Sequence, residues 1–306
     1  MIDTGILLGV MTELSCLILL GLLLTKIHLL DEKGSSVLST LVVHVFNPAL
    51  IISSVLNGRS ESNDNTVLEA ILCGILLYAL LILIAVLVYM RSKASNEETS
   101  ICKMIMIFSN TAFVGYPILR ALYGDFAVFV FSLMHLPFNI LIFTYGRALL
   151  QQGMHKKITM KDLLSIGTVS SIIALVIYFG NITLPDPCVD FFSVLGDACV
   201  PLSMIVIGAS LAGVSWKEII RNRSINKVVF LRLIMLPIIL AMITLFLPIS
   251  QFNRELLVIS GALPAGSMVV VFAKEYKAND ALASAGVFST TLLSVITIPL
   301  MLSLLL

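Results

Sequence analysis

The residues best suited to chemistry lie in two apolar segments, each interrupted by a proline. One segment contains Asn110 and Pro117, and the other contains Pro264. Proline removes a backbone donor and clashes with the preceding turn, so we expect a helix to break at each proline and a new helix to begin directly after it. Helix N-termini expose unpaired N–H groups and a positive partial charge. The two breaks are therefore predicted to bind an anion.

Two asparagines near these breaks each allow two interpretations. Asn110 lies seven residues before Pro117, where its amide would either donate to a carboxylate or satisfy backbone groups that the break leaves unpaired. Asn47 precedes Pro48 in an earlier apolar segment, and it is a candidate either for binding or for holding that segment against the breaks.

Small and polar residues surround both prolines. Gly115, Ala265 and Gly266 permit close approach of two backbones, or of backbone and ligand. Tyr116 and Ser267 are candidates for lining the same pocket. Lysine and arginine are scarce around the breaks, so backbone amides are predicted to supply most of the anion binding.

Among the ionisable residues inside apolar segments, where charge is costly and is functional by default, four are candidates for a defined role. Asp197 is a candidate for carrying a coupled proton or cation, or for capping a helix. His44 and His135 would suit a proton relay or would be satisfied core histidines. Arg232 is expected to extend its side chain toward the membrane surface.

The composition indicates an integral membrane protein of the helical kind. Of 306 residues, 58% are hydrophobic and 12% charged, against about 25% charged in an ordinary soluble domain. The apolar runs approach 20 residues, which is the length of a membrane helix. We find no basic block for nucleic acid, no signal peptide and no catalytic or nucleotide-binding motif. We therefore expect no enzyme, no cofactor and no metal site, and we interpret the five cysteines as small buried residues.

Ten membrane spans are predicted, with short connections and broken fourth and ninth spans. Fifteen of the 19 Lys and Arg fall in one set of alternate loops, and three (Arg59, Arg120 and Arg254) fall in the other. This bias predicts that both termini lie on the non-cytoplasmic side of the plasma membrane. The predicted spans are 5–25, 35–56, 67–90, 101–123, 125–146, 162–180, 189–213, 226–247, 253–275 and 281–304.

Proline spacing indicates an inverted repeat of five plus five spans, 1–153 and 154–306. Pro48 and Pro201 lie 153 residues apart in the second span of each half. Pro117 and Pro264 lie 147 apart in the fourth, and we pair them as equivalent breaks. Inverted repeats of this kind are typical of transporters that bind substrate at the midplane between the halves.

The motifs of three spans resemble those of the auxin efflux carrier family, which includes plant PIN proteins and bacterial malate or malonate permease-like members. The matching stretches are NTAFVGYPILRALYG, ALPAG followed by VFAKEY, and GDACVPLSMIVIGASLA. Asp197 and Gly208 fall on shared positions of the third stretch. The short loop at 147–161 is similar to that of the bacterial branch.

The resemblance implies a fold in which the broken helices cross at the midplane. The scaffold would comprise 5–25, 35–56, 162–180 and 189–213, often paired as a homodimer in the bilayer, and the other six spans would move as an elevator. The family's carboxylate-binding asparagine falls on Asn110, and its crossover prolines fall on Pro117 and Pro264. The implied cargo is a small organic anion, a mono- or dicarboxylate or an auxin-like acid.

Two features depart from the plant carriers, and two other functions stay open. Ile51 and Ala265 stand where plant members have serine and glutamine, so the plant substrate pocket is not copied. The alternatives are a sodium-coupled bile-acid-type symporter, which has the same crossed helices, and a membrane sensor that binds the ligand without moving it. The breaks are poor in Glu and Gln, which disfavours the sodium-coupled alternative.

Overall fold

The computed structural model describes residues 4–58, 64–92, 94–150, 165–212 and 222–306, and these residues are predominantly helical. The predicted repeat boundary at 153 and 154, the start of the span predicted at 162 and the loop residue Arg59 lie outside the described residues.

Twelve helices are named here in chain order. Six of them, α2, α3, α6, α8, α9 and α12, are long and apolar enough to cross a membrane by length and composition. The helices are α1 (Thr4–Lys26), α2 (Glu32–Asn57), α3 (Asp64–Tyr89), α4 (Asn96–Ile107), α5 (Tyr116–Tyr123), α6 (Asp125–Leu150), α7 (Ile166–Phe179), α8 (Asp186–Leu211), α9 (Arg223–Thr244), α10 (Gln251–Ala262), α11 (Met268–Glu275) and α12 (Asp280–Leu305).

Side-chain caps fix where several helices begin. Ser95 accepts a hydrogen bond from the backbone N–H of Glu98 at the start of α4, and Ser250 does the same from Asn253 at the start of α10. Such caps satisfy first-turn donors that have no partner within the helix. They make the N-termini of the two shorter helices well defined.

Three helical stretches continue through a proline by widening into a π-turn immediately before it. The π-turns cover Val42–Phe46, Thr111–Gly115 and Leu231–Met235. A single residue separates each π-turn from the next proline, which is Pro48, Pro117 and Pro237, respectively. A local π adjustment re-satisfies the backbone groups that a proline would otherwise orphan. Proline in this chain is therefore not by itself a helix break.

The expected break at Pro117 is wrong, whereas the one at Pro264 is confirmed. Pro117 occupies the first turn of α5, and the chain instead unwinds at 108–110, between α4 and the π-turn. The second unwound stretch, 263–267, contains Pro264. The π-turn relieves the clash of the Pro117 ring, which removes the reason for a break at that point.

Four of the six helix lengths in the first half of the chain recur in the same order in the second half. Helices α2 and α8 each have 26 residues, α4 and α10 have 12, α5 and α11 have 8, and α6 and α12 have 26. Helix α10 begins 155 residues after α4, and α12 begins 155 residues after α6. At that spacing Pro264 would correspond to Ser109 instead of the expected Pro117.

The chain forms two compact units, which we describe separately. The first comprises 1–72, 112–136 and 164–213 and contains α1, α2, α5, α7 and α8; the second comprises 73–111, 137–163 and 214–306. In the first unit, α1 and α8 pack backbone against backbone at Gly21 and Gly208. A Cβ on Gly208 would overlap the carbonyl oxygen of Ile18, and one on Gly21 would overlap that of Ile205. Small residues of this kind allow close helix contacts.

We expect Gly208→Ala to destabilise the first unit by about 1–3 kcal/mol, because the added methyl group overlaps backbone that cannot rotate away. Thermal unfolding of the purified protein in detergent measures this change. Gly9→Ala is the matched control, since a Cβ at Gly9 meets nothing within 4 Å. That variant should be neutral or gain up to about 1 kcal/mol. Equal melting temperatures for the two variants would contradict the packing.

Candidate functional site

The two unwound stretches of the second unit pair with each other in antiparallel fashion. The backbone N–H of Asn110 donates to the carbonyl oxygen of Pro264 at 2.8 Å, and that of Gly266 donates to the carbonyl oxygen of Phe108 at 2.8 Å. Ser109 lies opposite Ala265 in this pairing. We call residues 108–110 and 263–267 the crossing. Two interrupted helices therefore meet through their backbones as expected, with the first interruption at 108–110 instead of at Pro117.

The local sequence explains why both stretches are extended. Leu263 precedes a proline, which disfavours the helical region, and its φ of −63° and ψ of 145° are those of extended chain. Phe108 is extended as well, with φ −97° and ψ 105°. Gly266 permits the close approach, because a Cβ at that position would lie 2.9 Å from the carbonyl oxygen of Ser109.

Arg232, from the π-turn of α9, is fully buried against the crossing, so the expectation that it extends to the membrane surface is wrong. Its guanidinium donates four hydrogen bonds of 2.5–3.3 Å. The acceptors are the carbonyl oxygens of Met106, Ser260 and Leu263 and the hydroxyl of Ser109. A guanidinium holds five N–H donors on three nitrogens in one plane and can bind several separated carbonyls at once, whereas a lysine has three donors on a single nitrogen.

The carbonyls that Arg232 binds belong to the ends of two helices. Met106 lies in the last turn of α4, Ser260 lies in the last turn of α10, and Leu263 follows α10 directly. Final-turn carbonyls have no partner within their helix and carry the negative end of the helix dipole. Arg232 therefore satisfies and neutralises the C-terminal ends of both interrupted helices.

Thr290 of α12 is a second contributor that sequence reasoning missed. Its hydroxyl accepts a hydrogen bond from the backbone N–H of Ala265 at 3.2 Å, and the residue is fully buried. A threonine in an apolar helix carries no signal of such a role. Arg232 did carry one, because an arginine inside a span is a functional candidate by default.

The crossing leaves particular amides available to a ligand. The N–H groups of Ala265 and Gly266, both predicted to bind the anion, are used by Thr290 and Phe108. Within the described residues, the N–H groups of Ser267 and Met268 donate to no protein acceptor. Ser267 is exposed and stands at the N-terminus of α11. The first turn of α11, rather than Pro264 itself, thus presents the open donors.

The other predicted residues of the first break separate into two groups. Asn110 belongs to the crossing and is only 8% exposed. Gly115, Tyr116 and Pro117 are buried in the first unit, where the Tyr116 ring meets Phe131 edge to face with centroids 6.1 Å apart. The structure thus places Asn110, Pro264, Ala265, Gly266 and Ser267 together in the second unit.

A cavity of about 320 Å³ opens in the first unit between α1, α5 and α8. Pro117 and Pro201 contribute to its wall, together with the charged residues Glu13, Arg120 and Asp197. Arg120 is the one charged residue of α5.

Arg120 joins two helices of the first unit through two carboxylates. Its Nε donates to Asp125 at 2.9 Å, and its terminal nitrogen donates to Asp197 at 2.5 Å. The side chain of Asp197 is 65% exposed. Asp197, predicted as a coupling site or a helix cap, is thus the partner of an arginine on α5, which is a third role.

The remaining predicted residues have defined surroundings in the first unit. Asn47 is buried, and its Oδ1 accepts from the Cys199 thiol at 2.9 Å. His44 is exposed, with Nδ1 2.9 Å from the carbonyl oxygen of Thr40. His135 is buried, and its ring centroid lies 4.1 Å from that of Phe131. All three belong to the first unit, whereas the crossing belongs to the second. Over the described residues, no group of three or more His, Cys, Asp or Glu could hold a metal ion.

Comparison with known proteins identifies relatives over nearly the whole chain. A family model described as "Membrane transport protein" matches residues 6–161 and 151–302. An uncharacterized transporter of Methanocaldococcus jannaschii is 23% identical over 301 residues, covering 93% of this chain and 94% of that protein. An uncharacterized transporter of Methanothermobacter thermautotrophicus is 26% identical over 287 residues, covering 93% of each.

We expect Gly266→Ala to open the crossing, because its methyl group would press on the Ser109 carbonyl. Hydrogen–deuterium exchange of peptides that contain Asn110 should become at least about fivefold faster, as expected for the loss of one backbone hydrogen bond. Gly9→Ala serves as the control and should leave this exchange unchanged. An Asn110 peptide that exchanges equally fast in both variants would contradict the pairing.

Proposed function

Because the chain belongs to the auxin efflux carrier family of membrane transport proteins, we propose that it carries small organic anions, mono- or dicarboxylates, across a membrane. The observation that carries the proposal is the backbone pairing of Asn110 with Pro264 and of Gly266 with Phe108. Unwound backbone at membrane depth is tolerated where it lines a cavity or is buried in protein. Paired interruptions of this kind are typical of transporter binding sites.

The electrostatics of the crossing support an anionic cargo. The open N–H groups of Ser267 and Met268 stand at the positive end of α11, and the segment 108–110 leads directly into the helical stretch that begins at Thr111. Residues 108–110 and 263–267 contain no Asp or Glu that would repel a carboxylate. Backbone donors of this kind favour an anion without fixing the rest of its structure.

Asn110 is the side chain that we assign to the carboxylate. It is buried at the crossing next to these open helix ends, and its backbone N–H is already bonded to Pro264. The amide group of Asn110 would donate to a carboxylate oxygen and would discriminate it from a neutral ester or amide. A hydrogen bond to a charged group contributes about 1.5–3 kcal/mol.

The membrane architecture we propose is ten spans in two inverted repeats. Counting α4 with α5, and α10 with α11, as one interrupted span each gives this number. The recurring helix lengths and the 155-residue spacing support the repeat. An odd number of spans per repeat requires opposite orientations in the membrane. Both termini then lie on the non-cytoplasmic side of the plasma membrane.

We propose an elevator motion over a fixed scaffold. Helices α1, α2, α7 and α8, which correspond to the predicted scaffold spans, all belong to the first compact unit, together with 112–136. The close contact at Gly21 and Gly208 suits a scaffold whose members do not slide on each other. The same scaffold helices are the proposed face of a homodimer.

Replacing Asn110 tests the binding site. A thermal-shift screen of mono- and dicarboxylates on the purified protein selects the acid, and its uptake is then measured in proteoliposomes. We expect Asn110→Ala to weaken uptake about tenfold or more, and Asn110→Asp to weaken it further because the added negative charge repels the acid.

Asn226→Asp is the control for Asn110→Asp, because Asn226 is exposed on α9. Uptake that is unchanged in both Asn110 variants would reject the assigned site. Uptake that requires sodium would favour the symporter alternative. Binding without any flux would favour the sensor alternative.

Asp197→Asn tests how α5 and α8 are joined. If α5 slides along the scaffold, the ion pair of Arg120 with Asp197 must break in each cycle. Removing this ion pair should therefore raise uptake by up to about fivefold, because an exposed ion pair contributes up to about 1 kcal/mol. The pH profile of uptake should be unchanged. Asp125→Asn removes the other carboxylate on Arg120 but leaves the tie to α8, and it should behave like the unmodified protein. Loss of pH dependence in Asp197→Asn would instead identify Asp197 as a proton carrier.

A further inference from the structure

Arg232 is completely buried and has no acidic partner in the described part of the chain. Its guanidinium is fully buried, and among the described residues its hydrogen bonds go to three carbonyls and one hydroxyl and to no carboxylate. An isolated charge in an apolar interior is costly unless partial charges of opposite sign surround it. The partial charges that surround Arg232 belong to the C-terminal ends of α4 and α10.

The charges at the crossing can be added helix by helix. Each helix end carries roughly half an elementary charge, negative at the C-terminus and positive at the N-terminus. The two C-terminal ends of α4 and α10 therefore sum to about −1, which the full charge of Arg232 cancels. The N-terminal end of α11 and that of the helical stretch from Thr111 remain uncancelled.

We propose that Arg232 is a positioning residue that sets the charge preference of the crossing: it neutralises the two helix C-termini so that the positive N-termini alone determine the local potential. Without its charge, positive and negative helix ends would compensate each other and the crossing would lose its preference for anions. Arg232 exerts this effect without contact with the cargo. The inference rests on the proposed function only where it says that the anion is the cargo.

The local potential can be measured without a substrate. Ser267 is exposed at the N-terminus of α11, so a cysteine there samples the open end of the crossing. The full-length Ser267→Cys protein is made with Cys16→Ser and Cys188→Ser, because those two native cysteines are exposed while Cys73, Cys102 and Cys199 are buried.

The readout is a ratio of two reaction rates in the detergent-purified protein. One reagent is the anionic sulfonatoethyl methanethiosulfonate, and the other is its cationic trimethylammonioethyl analogue. The Ser267→Cys thiolate attacks either reagent, forms a mixed disulfide and displaces methanesulfinate, so the thiolate fraction and most of the accessibility cancel in the ratio. The ratio of anionic to cationic rates then reports the sign and strength of the potential.

Arg232→Gln is expected to lower this ratio about tenfold, because it removes one unit of positive charge from a buried position that solvent and salt screen weakly. Arg232→Lys keeps the positive charge but loses the planar guanidinium. Its ratio should stay within about twofold of that of the Ser267→Cys protein with native Arg232. Lys274→Gln removes an exposed charge from the same helix as Ser267 and should also stay within about twofold.

A second pair of variants covers the case in which Arg232→Gln does not fold. The Ser109 hydroxyl accepts from Arg232, so Ser109→Asp neutralises the guanidinium in place while the arginine remains. Its ratio should fall about tenfold as well, whereas Ser109→Asn, with the same shape and no charge, should not change it.

Two results overturn the inference. One is a ratio that is unchanged in Ser109→Asp and, where it folds, in Arg232→Gln. The other is an equal fall in Arg232→Lys or Ser109→Asn, which would assign the effect to geometry instead of charge. A protein that binds no carboxylate in the thermal-shift screen would remove the proposed cargo and leave this measurement valid, so the two failures are distinguishable.

Discussion

Unwound backbone that an apolar protein shields from water must find its hydrogen-bond partners within the chain, and this constraint governs the second unit. The segments 108–110 and 263–267 meet it by pairing with each other, by the Thr290 hydroxyl and by the guanidinium of Arg232. Each of these bonds reaches a main-chain atom, and Arg232 donates one further bond to the Ser109 hydroxyl. The break in each helix is therefore stable only in the presence of the other.

The crossing contains two kinds of helix end, C-termini and N-termini, and their polar groups differ in their hydrogen-bond partners. The carbonyl oxygens of Met106 and Ser260, near the C-terminal ends of α4 and α10, accept from the Arg232 guanidinium, whereas the N–H groups of Ser267 and Met268 donate to no acceptor among the described residues. This asymmetry supports the proposal that the crossing binds a negatively charged group. The ion pairs of Arg120 with Asp125 and Asp197 belong to the first unit.

The sequence was sufficient for the helical membrane class, the family, the break at Pro264 and the burial of Asn110. It was insufficient at Pro117, because proline chemistry predicts a break and cannot reveal that a π-turn at Thr111–Gly115 absorbs the strain. It was also insufficient for Arg232. The carbonyl of Met106 lies 126 residues away along the chain, and only the folded structure shows that the two meet.

The crossing is held by atoms that every amino acid possesses. The two direct bonds between the segments join backbone to backbone, and the lack of a side chain at Gly266 is required for their approach. Under the proposed function, side chains at positions such as 265 and 267 would be free to change and to accept differently shaped acids, while the backbone pairing persists. Cargo identity and charge recognition would then be separately adjustable properties.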